Sequence, residues 1–222
     1  MNSIERIISR SESLPIEGHK VLRNTYMLLS MTLIFSGLTA GMSMMFNLPH
    51  PGMIITLVGY FGLLFLTTKF RNSSLGILCV FALTGFMGFT LGPMINAYLH
   101  LPNGAEIVTM AMGGTGAIFL SLSAYALTTR KDFSFMGSFL MVGIIVAFLA
   151  GLAAFFFSMP ALSLAVSAMF VLLMSGLILY QTSSIIHGGE TNYIMATVTL
   201  YVSIFNLFTS LLHLLGAFSG DD

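Results

Sequence analysis

Five polar side chains follow one another at steps of four, three, four and three residues near the end of the chain. They are Thr199, Ser203, Asn206, Ser210 and His213. This spacing places all five on one face of an α-helix. Hydroxyl, amide and imidazole groups in such a row could hold an ion or a polar solute, or hydrogen-bond to neighbouring helices.

The residues in and around this row do not form a recognisable catalytic motif. Ser210 and His213 share a helix face, but no third group orients the pair and no serine lies in a GxSxG motif. The single Cys79 and the isolated loop histidines lack the partners that a metal site needs. We therefore predict no catalytic residue, no cofactor and no metal site.

The row lies in an apolar stretch, residues 191–218, that is long enough to cross a bilayer. A helix facing lipid has no reason to present Asn206 and His213 to hydrocarbon, so the row should turn toward other helices or a wet cavity. The alternative is a packing role alone, since Ser and Thr in membrane helices often bond the i−4 carbonyl of their own helix.

The composition defines the class of protein. Of 222 residues, 56% are hydrophobic and 7% are charged, whereas a soluble domain has about 25% charged residues. The chain is therefore expected to be an integral membrane protein. A net charge of zero argues against a nucleic-acid partner, which requires a basic face.

Seven apolar segments are close to the length of ~20 residues that crosses a hydrocarbon core of ~30 Å. They cover residues 26–46, 52–68, 75–96, 107–129, 135–157, 161–186 and 191–218. The sequence thus predicts an all-α fold, a seven-helix transmembrane bundle over residues 26–222. Residues 1–25 are polar, low in aromatics and without the apolar core of a signal peptide, so we predict a disordered cytosolic tail.

The cations predict the orientation of the bundle. All eight Lys and Arg residues fall on one side of the membrane if all seven segments cross it. They are Arg6, Arg10, Lys20 and Arg23 in the tail, with Lys69, Arg71, Arg130 and Lys131 in two connections. By the positive-inside rule this side is the cytoplasm, so the N-terminus is inside and the C-terminus is outside.

Glycines and a proline predict how the helices pack. Gly37 and Gly41, and then Gly88 and Gly92, each form a GxxxG step, which lets helix backbones approach closely. We favour packing within the chain over a dimer interface for both steps. Pro93 lies inside the third segment and predicts a kink there.

Several stretches carry a family resemblance. The end of the chain, LILYQTSSIIHGGETNYIMATVTLYVSIFNLFTSLLHLLG, resembles the signature of the Bax-inhibitor motif family of membrane proteins. HKVLRNTYMLLSMTL, FALTGFMGFTLGPMIN and TTRKDFSFMGSFL are similar to further family segments. The resemblance implies six helices surrounding a central seventh.

The resemblance also implies a position for a latch. Calcium-leak members of the family pair two aspartates, one in a YD step of the sixth helix and one in an LYLD step of the seventh. Here those positions are Gln181 and Ser203. Neither residue titrates near neutral pH or attracts calcium as carboxylates do. A weak calcium or proton leak is therefore the less favoured of two functions, and the latch candidates are Gln181 and the polar row.

The favoured function comes from the bacterial branch of the family. The resemblance implies a non-enzymatic protein of the bacterial inner membrane that binds and inhibits a membrane-anchored AAA protease of the FtsH type. The membrane complex associated with that protease is a further candidate partner. The tail, with Arg6, Arg10, Lys20 and Arg23, would face this partner. Alternatively, the four cations serve only to orient the chain, or the protein is a structural scaffold.

Overall fold

The protein is described from a computed structural model that gives the backbone of residues 3–219 and the side chains of residues 18–219. The helices are α1 (Ser3–Met45), α2 (Met53–Phe70), α3 (Ser74–Leu99), α4 (Gly104–Thr129), α5 (Gly137–Phe156), α6 (Pro160–Ile186) and α7 (Tyr193–Phe218). A single 3-10 turn, Ser134–Met136, precedes α5. Within residues 3–219 there is no β-strand.

The predicted count of seven transmembrane segments is confirmed. Each of the seven helices contains a stretch that is long and apolar enough to cross a membrane. An α-helix satisfies its backbone hydrogen bonds internally, which an apolar segment in lipid requires. Six of the seven predicted segments agree with the helices to within three residues at either end.

The first helix differs from the prediction. It begins at Ser3, far ahead of residue 26, and its apolar stretch runs from Gly18 to Met45. Residues 18–25 are helical, and Thr25 at the end of this stretch is fully buried in the bundle. The side chains of residues 1–17 lie outside the described part, so the disordered tail stays a prediction.

Local signals explain where several helices begin and end. The Ser73 hydroxyl accepts the N–H of Leu75 and caps α3. Pro160 occupies the first turn of α6, where its missing N–H costs no helical bond. Gly188 adopts a positive φ of 75° just after α6, a conformation that favours glycine. Short connections follow from these abrupt ends.

Helix α3 continues through Pro93, and the kink at this residue stays a prediction. The glycines around it pack closely on α1. A Cβ on Gly92 would lie 2.5 Å from Cβ of Ser43 and 2.8 Å from the carbonyl oxygen of Ala40. One on Gly88 would collide with Thr39 and with the Ser36 carbonyl. This GxxxG step therefore mediates helix contact within the chain, as predicted.

The other GxxxG step behaves differently. A Cβ added to Gly37 or Gly41 would meet nothing within 4 Å, and both residues are exposed. The prediction that this step also packs within the chain is wrong for the described residues. The reason is geometric: α1 turns its Ser36 and Ala40 side toward α3, which leaves the neighbouring glycine face open.

Helix α7 packs against α1, α3, α4 and α6, whereas α2 packs on α3 and α5 packs on α6. One core cluster joins Leu200 and Leu207 of α7 to Leu83 of α3 and Ile178 of α6. The arrangement of six helices around a central seventh, and the sides of the membrane on which the termini lie, stay predictions. Asp221 and Asp222 lie outside the described residues.

Candidate functional site along the seventh helix

The polar row on α7 lies at least half inside the bundle. Ser203 is fully buried and Ser210 is 8% exposed, while the remaining three members are half-buried. The opposite face is enclosed as well, because Leu200 and Leu207 have no exposed surface. No member of the row is fully exposed.

Most hydrogen bonds of the row return to α7 itself. The Ser203 hydroxyl donates to the Thr199 carbonyl at 2.7 Å, and the Asn206 amide donates to the Val202 carbonyl at 2.8 Å. Bonds of this i−4 type satisfy the polar group without joining two helices. Within the row, these two residues therefore contribute little to helix association through hydrogen bonding.

His213 links α7 to α6. Its Nδ1 lies 2.8 Å from Oγ of Ser167. The same hydroxyl lies 3.1 Å from the Ser163 carbonyl, to which it can donate. If that carbonyl takes the hydroxyl proton, His213 donates from Nδ1 to the Ser167 oxygen. Such a bond stabilises the helix pair, and among the described residues neither Ser167 nor His213 is hydrogen-bonded to an acidic side chain.

Gln181 and Ser203, at the two positions of the family's paired aspartates, are not hydrogen-bonded to each other. Counting from the contact between Ser167 and His213, Gln181 lies fourteen residues along α6 and Ser203 lies ten residues back along α7. The two residues therefore differ in depth by about 6 Å at ~1.5 Å per residue. Gln181 is 5% exposed, and its Nε2 has no hydrogen-bond partner among the described residues.

Polar groups of α1, α6 and α7 are hydrogen-bonded to one another near one end of the bundle, and one of them is Thr182, the residue after Gln181. The Thr197 hydroxyl of α7 lies within donating distance of the Thr25 carbonyl of α1 at 3.3 Å. Tyr26 and Thr182 place their hydroxyl oxygens 3.3 Å apart, which joins α1 to α6. Since the Thr25 hydroxyl is also unpartnered within the described part, these polar groups retain spare hydrogen-bonding capacity.

Tyr201, which is 1% exposed, was not among the residues predicted from the sequence. Its hydroxyl donates to the Thr84 carbonyl of α3 at 3.2 Å and lies 2.6 Å from Oγ of Ser36 on α1. Since a phenol has one proton, Ser36 donates to Tyr201. A tyrosine far from the membrane interface, where its hydroxyl needs an internal partner, was the available signal.

The last turn of α6 and the residue that follows this helix hold the connection between α4 and α5. The Ser183 hydroxyl donates to the Lys131 carbonyl at 3.1 Å and accepts the Phe133 N–H at 3.0 Å. His187 places Nε2 at 3.0 Å from the carbonyl of Arg130, which has a positive φ of 49°. These bonds fix a connection that bears two cations.

The start of α7 holds the connection between α2 and α3 in the same way. Asn192 caps α7 by accepting the Met195 N–H at 3.0 Å. Its amide donates to the Arg71 carbonyl at 3.0 Å and to the Asn72 side chain at 2.9 Å. The end of α6 and the start of α7 are therefore bonded to both of the connections that carry Lys and Arg.

One carboxylate in these connections has a shifted pKa. Asp132 is exposed, and its Oδ1 accepts the backbone N–H of Ser134 at 2.8 Å. This hydrogen bond, followed by one from the Ser134 hydroxyl and a smaller electrostatic effect of His187, lowers the pKa of Asp132.

The predicted tail residues divide into two groups. Lys20 and Arg23 are exposed on α1 and line a pocket of about 550 Å³ together with His19. The side chains of Arg6 and Arg10 lie outside the described residues.

Within residues 18–219, no three His, Cys, Asp or Glu side chains are grouped closely enough to hold a metal ion. The helices and the polar row together define a multi-pass membrane protein with a largely neutral interior.

The family model described as "Inhibitor of apoptosis-promoting Bax1" matches residues 18–220. The chain is 54% identical over 220 residues to the Escherichia coli K12 protein named "Modulator of FtsH protease YccA", covering 98% of this chain and 100% of that protein. It is 57% identical over 202 residues to an uncharacterized Pseudomonas aeruginosa protein, and this match covers 91% of each. It is 35% identical over 215 residues to an uncharacterized Neisseria meningitidis protein, covering 93% of this chain and 95% of that protein.

The chain therefore belongs to the Bax-inhibitor family, as the sequence motifs predicted. The matching protein of E. coli O6:H1 strain CFT073 is named "Inner membrane protein YccA". With seven helices able to cross a membrane, the present chain is a multi-pass inner membrane protein.

Proposed function

We propose that this protein is a non-enzymatic modulator of a membrane-anchored AAA protease of the FtsH type, which it binds and inhibits. The observation that carries the proposal is the 54% identity to the E. coli modulator across its whole length. An identity of this size over all seven helices supports a shared role more strongly than membership of the family alone.

The build of the chain supports a role through binding. The seven helices occupy most of residues 18–219 and are joined by short connections, so the described part contains no soluble domain. Among the described residues, no carboxylate is hydrogen-bonded to Ser167 or His213 to orient their contact. In our proposal the helices bind the membrane segments of the protease.

The N-terminal tail completes the proposed mechanism. We place residues 1–17 in the cytosol, on the side of the eight cations, where the protease can grip the tail. The hydrogen-bonded bundle then resists extraction, so the tail occupies the protease and slows the turnover of other substrates. Arg6, Arg10, Lys20 and Arg23 would face the partner in this arrangement.

Co-purification from mild detergent tests the binding. Tagged chain should recover the protease, and overexpression should slow the degradation of a known protease substrate. A chain without residues 2–17 should still fold and keep Lys20 and Arg23 for orientation, but should lose the slowing. A chain with the same residues in scrambled order is the matched control and should retain it.

Two outcomes would contradict the proposal. Recovery of no protease together with unchanged substrate turnover removes the role altogether. Full activity of the shortened chain removes the gripping mechanism and leaves the tail cations with an orienting function alone. A reporter fused to the C-terminus checks that each variant keeps its orientation.

The cation leak gains no specific support from the site. Gln181 and Ser203 carry no carboxylate and are not bonded to each other. Liposomes containing the purified chain should therefore show calcium flux no greater than empty liposomes.

A further inference from the structure

Helices α1 and α4 both pack on α7 but make few close contacts with each other. Between them lies a cleft with two parts. Near one end Tyr26 of α1 and Phe119 of α4 lie with their ring centroids 6.1 Å apart. This aromatic pair separates a basic part of the cleft from an apolar part.

The apolar part has a volume of about 640 Å³. Gly37 and Gly41 of α1 and Gly116 of α4 belong to its lining, and a Cβ on any of them would meet nothing within 4 Å. Phe205 and Phe208 of α7 also line it. Small residues on both walls leave room for a slender apolar group.

The basic part has a volume of about 550 Å³. Lys20, Arg23 and His19 line it together with the apolar side chains of Leu22 and Leu127. Among the residues that the structure describes, the lining contains no Asp or Glu, so none of them neutralises the positive charge of Lys20 and Arg23 within the pocket. An anionic group at this position would be attracted by both cations.

Both parts lie along one face of α1. Arg23, Tyr26, Leu33, Gly37 and Gly41 are separated by three, seven, four and four residues, which is helical spacing. Gly37 lies fourteen residues beyond Arg23, or about 21 Å along the helix. A single leaflet contributes about 15 Å of hydrocarbon, which reaches from the basic part to the near end of the apolar part.

We propose that this cleft binds one anionic phospholipid, with its phosphate between Lys20 and Arg23 and one acyl chain passing Tyr26 toward Gly37. A lipid fits better than a partner helix because the cleft combines cations at interface depth with an apolar channel. A transmembrane helix would fill the apolar part but supply no negative charge to the basic part. This inference does not rest on the proposed protease role.

Native mass spectrometry of the full chain released from mild detergent tests the selectivity. Phosphatidylglycerol should be retained in preference to phosphatidylcholine with the same acyl chains. The double variant Lys20→Gln/Arg23→Gln should weaken phosphatidylglycerol retention between about fivefold and thirtyfold, as expected for loss of one to two cation contacts. Lys69→Gln/Arg71→Gln, which removes two exposed cations at the end of α2 and just after it, is the matched control and should have little effect.

A second arm tests the acyl chain. In Gly37→Leu the new side chain projects toward the N-terminal end of α1, over the near end of the apolar part, and should lower phosphatidylglycerol retention severalfold. Gly62→Leu, at an exposed glycine with equally open surroundings, should not. Glycerol 1-phosphate, which has the phosphate of the headgroup but no acyl chain, should compete only weakly with bound phosphatidylglycerol. Circular dichroism and thermal unfolding confirm that each variant remains folded.

Each contrary result overturns the proposal. Equal retention of the two lipids, or an equal loss of phosphatidylglycerol retention in the Lys69→Gln/Arg71→Gln control, would show that Lys20 and Arg23 do not form a headgroup site. Competition by glycerol 1-phosphate as strong as by the lipid shows that only a free phosphate is bound. A protein helix crosslinked from position 37 in native membranes shows that the apolar part is a protein-binding groove instead.

Discussion

The same substitution at two GxxxG steps should have opposite effects on stability. At Gly88 a new Cβ would collide with the backbone carbonyl of Ser36 as well as with the Thr39 hydroxyl. A side chain can rotate away, but a carbonyl in α1 can move only with its helix. Gly88→Ala must therefore push α1 and α3 apart. Gly37→Ala places its methyl group in open space.

The expected magnitudes follow from these surroundings. Overpacking of a tight contact costs about 1–3 kcal/mol, and the backbone collision at Gly88 favours the upper end. Replacing Gly by Ala inside a helix recovers about 1 kcal/mol, so Gly88→Ala should lower the free energy of unfolding by about 2 kcal/mol. Gly37→Ala has only the favourable contribution and should raise it by about 0.5–1 kcal/mol.

Equilibrium unfolding of the purified chain in mixed detergent micelles, followed by circular dichroism, measures both values. Gly62→Ala, at another exposed glycine without neighbours within 4 Å, serves as the control and should resemble Gly37→Ala. The reasoning fails if Gly88→Ala and Gly37→Ala change stability in the same direction by similar amounts. That result would show that α1 and α3 do not approach closely at Gly88.

Three further predictions concern individual hydrogen bonds. Tyr201→Phe leaves the buried Ser36 hydroxyl without its partner and should cost about 1–2 kcal/mol in unfolding free energy. In the double variant with Ser36→Ala, the loss should be smaller than the sum of the two single losses. A loss equal to that sum would contradict the contact. Ser167→Ala should cost about 0.6–1.7 kcal/mol, and a cycle with His213→Leu should show coupling between the two residues if their contact stabilises the bundle. Because the pKa of Asp132 is lowered in the folded chain, its contribution to stability is present above the unfolded pKa of about 3.9 and is lost as the pH falls through the folded pKa. Asp132→Asn should therefore reduce the dependence of the unfolding midpoint on pH in the acid range. An unchanged dependence would show that Asp132 does not stabilise the folded chain.

The helices were largely predictable from sequence because lipid imposes a simple rule. A segment in hydrocarbon must be long, apolar and internally hydrogen-bonded, and each requirement can be read locally. The start of α1 was the exception, since the helix begins at Ser3 and passes through residues 18–25, which are polar in part and end at the fully buried Thr25. Local composition does not report such tertiary contacts.

The partners of each polar or small residue were less predictable. Gly37 and Gly88 occupy identical GxxxG patterns, yet only Gly88 has a helix against it. The direction in which a helix turns each face depends on all its neighbours, which spacing alone does not give. In the same way, the periodic row on α7 was evident, but the residue joining α7 to both α1 and α3 is Tyr201, which lies outside that row.

The bonds made by the end of α6 and the start of α7 have a mechanical consequence. Through His187 and Ser183 the end of α6 is fastened to the connection between α4 and α5, and through Asn192 the start of α7 is fastened to the connection between α2 and α3. A pull on any one of these loops is thus shared among six helices. Extraction of one of these helices from the membrane therefore requires that the hydrogen bonds between the loops break first.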